Sequence, residues 1–431
     1  MSVYRVSRPA SWGVSSGRAA APETVDVQPE EEPVSDNVHV AGVGMIPFTK
    51  PGAGETYDVM GERAARAALD DAGIGYELVQ QAYAGYVFGD STSGQAAIYG
   101  LGQTAIPVVN VNNNCASGSS ALWLARQAIA SGTADCVLAL GFEQMQRGAL
   151  GGGKLPDRPP AMKRGIDATI GIQGWGDGPM AAQLFGGSGQ AYMDKYGVGN
   201  DLFAKVAVKS RRHAANNPYA VFRAPITEEE VLASAHQHGP LTKLMCCPPT
   251  CGAAAAVLVS EDFARRNGLK ADVRIKAQSM TTDVPGTFGS GDMMTIVGYD
   301  MAQSAARNVY EESGVDPSDI RVVELHDCFT SNEVTTYEAL GLTPEGTAEK
   351  FVLDGDNTYG GRVVVNPSGG LMSKGHPLGA TGLAQCTELV WQLRGQADAR
   401  QVDGDPALAL QHNLGLGGAC VVTLYEKAGR K

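Results

Sequence analysis

Val108-Val-Asn-Val-Asn-Asn-Asn-Cys-Ala-Ser-Gly-Ser-Ser-Ala-Leu122 changes character at its middle. The β-branched apolar run from Ile106 to Val111 reads as a buried strand. Three asparagines follow, then Cys115, then small residues. The next segment, Leu122 to Ile129, has helical spacing and meets a stop at Ser131-Gly132. Cys115 is therefore expected on a strand-to-helix turn, at the N-terminus of a helix. Unpaired backbone N–H groups and the helix dipole at such a place favour a thiolate. They can also be offered to an oxyanion. A free cysteine is commonly an inert, buried side chain. Asparagines before it and Ser/Gly after it argue instead for a polar, tight turn and a nucleophile.

Working outward, the bulk numbers suit a globular protein. The chain has 431 residues, 43% hydrophobic and 19% charged, enough for two or three core-bearing units. A net charge of −12 argues against a nucleic-acid partner, so an anionic ligand would need a local basic patch. The eight cysteines are irregularly spaced, which does not read as a disulfide framework. Cys246, Cys247 and Cys251 lie among apolar neighbours and read as a buried strand edge, so no metal is expected. No apolar run of about 18 residues predicts a membrane span. Residues 1–36 hold Pro, Ser, Gly and Glu30-Glu31-Glu32, the composition of a disordered tail. Arg5, Arg8 and Arg18 give it only a weak transit-peptide character. Ala428-Gly-Arg-Lys431 is not a peroxisomal address. A bacterial cytoplasm is the expected setting, with peroxisome and mitochondrion as the alternatives.

Along the chain, Val38 to Val43 reads as the first strand, Tyr57 to Asp71 as a helix ended by Gly73, and Tyr83 to Phe88 as a strand. Gly42-Val-Gly44 is not a dinucleotide fingerprint, because Pro47 follows and no helix opens there. The informative feature is a repeat. Ala64-Ala-Arg-Ala-Ala-Leu-Asp-Asp-Ala-Gly-Ile74 matches Ala305-Ala-Arg-Asn-Val-Tyr-Glu-Glu-Ser-Gly-Val315 at an ungapped offset of 305 − 64 = 241. Carried on, the offset lays Gly85-Tyr-Val-Phe88 over His326-Asp-Cys-Phe329. More loosely, the Cys115 turn and Ala134–Gly141 correspond to the His376 turn and Ala407–Gln411. Two halves of alternating strands and helices imply a duplicated α/β fold, with its site outside the C-terminal ends of strands. Residues 148–237 are too long for a simple connection and read as an inserted lid. Lys154, Arg158, Lys163, Arg164, Lys205, Lys209, Arg211 and Arg212 make it basic, as a solvated face or a phosphate-bearing ligand would require.

Three polar signatures mark the second half. They are His326-Asp-Cys-Phe329, Asn366 to Gly382 with Gly375-His-Pro377 inside it, and Gln411-His-Asn-Leu-Gly-Leu-Gly-Gly418. A thiolate nucleophile needs an activating base, a second acid/base and oxyanion donors. Cys115, Cys328, His376 and His326 supply those types.

Asn-Asn-Asn-Cys115-Ala-Ser-Gly, Gly375-His376-Pro377 and the closing Gly-rich strand resemble the thiolase superfamily. His326-Asp-Cys-Phe329 together with Gln411 to Gly418 is more specific, and resembles thiolases of the sterol-carrier-protein-x type. The similarity covers about residues 38 to 427. It implies two βαβαβαββ halves, each with one five-stranded sheet, in a five-layer α-β-α-β-α sandwich with an inserted loop domain. The boundaries expected are 37–147 and 238–265 for the first half, 148–237 for the insertion and 266–431 for the second half. The implied reaction is thiolysis of a 3-ketoacyl-CoA by CoA, through an acyl-enzyme on Cys115, releasing acetyl-CoA or propionyl-CoA. By the same resemblance His376 activates the nucleophile and Cys328 handles the Cα proton. His326 is an oxyanion donor, and backbone N–H groups of Cys115 and Gly415 form a second hole. Asn413 and Gly415 stand where other thiolases carry a Cys-x-Gly motif, so Cys420 is not its equivalent. No cofactor is implied beyond CoA as co-substrate, its contact residues stay unassigned, and a homodimer or homotetramer is expected. Cys251-Gly-Ala-Ala-Ala departs from the family's Asp-Gly-Ala-Ala-Ala. Competing expectations are a β-ketoacyl synthase-like condensing enzyme, a steroid side-chain retro-aldolase and a non-catalytic lipid carrier.

Overall fold

Residues 37–146 and 159–429 are described by the structure, a computed structural model. The expected N-terminal tail, Gly151–Gly153, Lys154 and Arg158 lie outside the described residues. The first half contains β1 (Val38–Met45), α1 (Tyr57–Ala72), β2 (Gln81–Gly85), α2 (Ser93–Tyr99), β3 (Val108–Val111), α3 (Ser117–Ala130) and β4 (Cys136–Glu143). An insertion follows, with α4 (Lys163–Gln173), α5 (Met180–Tyr196), α6 (Asp201–Ala214), α7 (Glu228–Ala233), β5 (His236–His238) and β6 (Leu241–Thr242). β7 (Gly252–Ser260) closes the half and α8 (Glu261–Asn267) links onward. The second half contains β8 (Val273–Thr281), α9 (Met293–Ile296), α10 (Tyr299–Ser313), β9 (Val322–Glu324), α11 (Thr330–Ala339) and α12 (Ala348–Leu353). It ends with β10 (Val364–Val365), α13 (Gly370–Ser373), α14 (Thr381–Arg394), β11 (Leu408–Gly415) and β12 (Ala419–Lys427).

The duplication is visible in strand order. β3-β2-β4-β7-β1 in the first half is repeated as β10-β9-β11-β12-β8 in the second. The two five-stranded sheets meet at β1 and β8 through Val38↔Ile275 and His39↔Arg274, so one ladder runs across ten strands. The central strands β1, β4 and β7 of the first sheet are buried on both faces, as a sheet covered on both sides requires. Along β4, Val137 and Ala139 face one core while Cys136, Leu138 and Leu140 face another. α3 and α14 pack on each other between the sheets, α1 covers the outer face of the first sheet and α10 that of the second. These are the five layers. The repeated helices α1 and α10 both end on left-handed glycines, Gly73 (φ 74°) and Gly314 (φ 67°). Gly42 and Gly44 lie within β1, where α1 presses on the strand: an added Cβ would stand 2.2 Å from Ala68 O and 2.5 Å from Ala64 O.

Two local expectations are corrected. The strand begins at Val108 rather than Ile106, and it is not buried, since Val109 is 45% exposed. β3 ends the strand order and pairs only with β2. The strand expected to reach Phe88 stops at Gly85, because Val87 and Phe88 give their N–H groups to the Glu143 carboxylate instead of to a neighbouring strand.

The insertion lies between β4 and β7 and covers α11, all of whose residues are buried. Much of its basic charge is spent internally. Lys163 pairs with Asp167, Lys205 with Glu228, and buried Lys209 with Glu333.

Candidate active site

The nucleophile turn is built by its own polar residues. Asn114 adopts φ 51°, a left-handed conformation that asparagine tolerates better than most residues. The Ser117 hydroxyl accepts from Asn113 N (2.9 Å) and donates to Asn114 O (2.6 Å), tying the turn to the start of α3. The turn rests on the end of β11, where a Cβ on Gly415 would stand 2.1 Å from Asn113 O. Asn114 Nδ2 donates to Leu416 O (3.0 Å), a second tie between the halves. The Cys115 thiol donates to Asn114 Oδ1 (3.6 Å). Its pKa is pushed up to about 12, first by burial and then by the Glu143 carboxylate. Burial thus works against the thiolate that a helix terminus favours. A base must take the proton.

His376 is placed to do so. Gly375 before it has φ 122°, and an added Cβ would stand 2.7 Å from Thr250 Cγ2, so glycine is required for this approach. Thr250 Oγ1 accepts from His376 N (3.2 Å). Thr381 Oγ1 lies 2.7 Å from His376 Nδ1 and donates its own proton to Pro377 O (3.1 Å). The hydroxyl therefore accepts from Nδ1–H, leaving the lone pair on Nε2, which has no protein partner. Burial lowers the His376 pKa to about 3, so the resting ring is neutral. Cys115 Sγ and one ring nitrogen each of His326 and His376 all lie within 4.8 Å of one another.

His326 has the opposite tautomer. Asn413 Nδ2 donates to its Nδ1 (3.0 Å), so Nε2 carries the proton. The ring is buried, meets His376 edge-on with centroids 5.0 Å apart, and is held neutral by burial and by the neighbouring rings. One neutral acceptor and one neutral donor thus face the same thiol. Cys328, two residues after His326, is buried and stands outside that trio. Its carbonyl accepts from Cys247 N (2.9 Å), and burial together with the Cys247 and Cys115 thiols pushes its pKa well up.

Asp327, within a recognised motif but given no role from sequence, accepts from Leu371 N (2.7 Å) and Met372 N (3.3 Å) and so caps α13 just before the His376 turn. Burial and Glu333 raise its pKa to about 8. Thr381, Thr250 and Glu143 were missed altogether. Thr250 and Glu143 act through hydrogen bonds across the fold and Thr381 through the ring of His376 five residues before it, and no spacing in the chain signals any of them. Cys246, Cys247 and Cys251 do not converge on a common point: Cys246 donates to Thr242 O and Cys251 to Met145 O, each at 3.3 Å. Among the described residues, the Cys115–His326–His376 trio is the set whose soft ligand atoms converge as a metal ion would need.

Two surfaces flank the trio. A cleft of about 210 Å³ starts at Gly415 and is lined by Met162, Leu184, Phe288, Ile296 and Met301, apolar except for Arg164 and Asp283 in its wall. On the other side, Val221 N and Phe222 N donate to Lys374 O and Ser373 O, directly before Gly375. Lys50 and Arg211 both lie over the Phe222 ring, at 5.0 and 4.4 Å, and neither makes an ion pair among the described residues.

Comparison with known proteins agrees with this geometry. Residues 38–262 match the thiolase N-terminal domain and residues 289–425 the thiolase C-terminal domain-like family. Sterol carrier protein 2 of Homo sapiens is 54% identical over 402 residues, covering 92% of this chain and 73% of the relative. Acetyl-CoA acetyltransferase of Methanothermobacter thermautotrophicus is 36% identical, covering 91% of this chain and all of the relative. Among solved structures, the Ltp2-ChsH2(DUF35) aldolase superposes with a TM-score of 0.77 at 25% identity, covering 92% of this chain and 99% of that one. With both domain families matched in order and more than half the chain covered, this protein belongs to the thiolases and is an acyltransferase.

Proposed function

We propose that the protein is a 3-ketoacyl-CoA thiolase of the sterol-carrier-protein-x type. The observation that carries the reading is the opposite tautomers of His376 and His326 around Cys115. His376 Nε2 takes the thiol proton as sulfur attacks the 3-keto carbon. Backbone N–H groups of Cys115 and Gly415 receive the oxyanion. The Cα–Cβ bond breaks, His326 Nε2–H faces the thioester oxygen of the departing enolate, and Cys328 protonates its carbon to give acetyl-CoA or propionyl-CoA. Incoming CoA returns a proton to Cys328 and attacks the acyl-cysteine. Cys115 leaves and recovers its proton from His376, so both thiols end protonated.

The unpaired cations over Phe222 suit the CoA phosphates, and the apolar cleft suits the acyl chain. The eight unpaired cysteines suit a reducing, cytoplasmic setting. The assembly we expect is a homodimer or homotetramer, which light scattering would test. A panel of 3-ketoacyl-CoA substrates, straight-chain, 2-methyl-branched and steroid side-chain, assayed for CoA-dependent release of acetyl-CoA or propionyl-CoA, tests the function. Absence of thiolysis across the panel would overturn it. The likeness to an aldolase supports a second reading, retro-aldol cleavage of a 3-hydroxyacyl-CoA. That reaction would proceed without free CoA and survive alkylation of Cys115.

A further inference from the structure

Glu143, the last residue of β4, is fully buried and pairs with no cation among the described residues. Its carboxylate is nevertheless saturated. Oε1 accepts from Phe88 N (2.9 Å), and Oε2 accepts from Val87 N (3.1 Å) and Gly379 N (3.0 Å). Val87 and Phe88 belong to the first half. Gly379 is three residues after His376, in the second. The turn it belongs to is seated in backbone with almost no clearance. A Cβ on Gly118 or Gly141 would stand 2.5 or 2.3 Å from Gly379 O, and one on Gly379 would stand 2.5 Å from Phe142 O and 2.6 Å from Gly85 O. Glycines on both sides let the halves touch main chain to main chain, and one carboxylate holds the contact. We propose that Glu143 is the positioning residue that registers the His376 turn against the Cys115 turn.

This rests on Cys115 and His376 acting as nucleophile and base. The titratable groups that feel the Glu143 charge are Cys115 and Cys251, both of which it makes harder to ionise. Burial outweighs its three N–H donors and raises its own pKa to about 7, so it changes charge near neutral pH. The positioning and the electrostatic effects have opposite signs, which makes them separable. A misplaced base slows turnover, and a displacement of the order of 1 Å can cost about 10²-fold. Removing a neighbouring negative charge eases ionisation of the thiol, by roughly 1 pH unit.

The test compares wild type with Glu143→Gln. Iodoacetamide alkylation of Cys115 is followed from pH 6 to 10 by mass spectrometry, beside steady-state thiolysis. The expected result is a kcat lower by ~10- to 100-fold, a KM for CoA changed less than ~2-fold, and Cys115 alkylation at pH 8 to 10 at least as fast as in wild type. A loss of both turnover and alkylation together with melting temperature would leave Glu143 a structural residue and overturn the proposal. So would an unchanged kcat. If that variant does not fold, Glu143→Asp carries the test: the shorter side chain keeps the charge and withdraws from Gly379 N, so kcat must fall while Cys115 alkylation stays near the wild-type rate, and a wild-type kcat refutes the proposal. Alkylation needs no CoA chemistry, so absence of thiolysis in wild type would overturn the proposed function and leave this measurement intact.

Discussion

The two halves of the chain share one βαβαβαββ plan and differ at its strand ends. At the offset of 241, Gly85-Tyr-Val-Phe88 of the first half stands over His326-Asp-Cys-Phe329 of the second. In the first half those positions serve packing: Gly85 lets the start of α3 approach, where a Cβ would stand 2.6 Å from Ser117 O. In the second half they carry an imidazole, a capping carboxylate and a thiol. The helices that follow diverge too. α2 leaves Tyr99 53% exposed, whereas α11 is wholly buried beneath the insertion. In the proposed mechanism the nucleophile comes from the first half and the acid/base groups from the second. A duplicated fold thus places its chemistry at one centre because the equivalent strand ends face the same seam, and each copy can then specialise.

The division of labour can be broken most severely at the nucleophile. Cys115→Ser is expected to lower turnover by at least ~10³-fold, with no acyl adduct in intact-mass spectra after incubation with substrate. An adduct on another cysteine in wild type would refute the assignment. Making the second half resemble the first is the sharper experiment. Cys328→Val installs the residue found at the matching position, Val87. Carbon–carbon cleavage should slow by ~10²-fold while acyl transfer from an activated acyl-CoA to Cys115 persists. Equal loss of both steps would deny Cys328 a separate proton-transfer role. Thr381→Val removes the acceptor for His376 Nδ1–H. A fall of roughly 10-fold in kcat, with an unchanged KM for CoA, is expected if that hydroxyl fixes the tautomer.

Acid should expose the same asymmetry. His326, His376 and His412 lie together in the second half with pKa values lowered by burial, the last two to about 3, whereas outside it burial lowers His213 of the insertion to about 3 and also lowers His39 of β1. A histidine with a depressed folded pKa contributes stability above its unfolded value near 6.5 and loses it as pH falls toward 3. The cost is about 1.4 kcal/mol per pH unit for each. Glu143 and Asp327, raised to about 7 and 8, act in the opposite sense and destabilise the fold as pH rises through those values. Hydrogen exchange at pH 5 against pH 7 should therefore open peptides around His326, His376 and His412 before those of β4 and β7. Uniform opening would remove the distinction. The smallest effect is expected at Cys420, buried at the start of β12. Cys420→Ala should cost about 1 kcal/mol in melting and leave thiolysis within ~2-fold, and a large loss would restore it as a catalytic thiol.

Much of the architecture was determined by the sequence alone. The gapless repeat, the glycines ending α1 and α10, and the small and polar residues around Cys115 are local or periodic signals, fixed by backbone geometry and readable in order along the chain. So were the family motifs. Tertiary structure decided what lay between distant segments. β3 became a half-exposed edge because of its place in the strand order, which its own Val-rich sequence does not encode. Cys115 is pushed toward the thiol by burial, which the whole fold contributes and its own turn does not encode. Thr381, Thr250, Asp327 and Glu143 act through hydrogen bonds spanning 5 to 236 positions, each needing a partner set by folding. Hydrogen bonds and desolvation depend on distances of a few ångströms in space, and sequence separation carries that information only where structure is local or repeated.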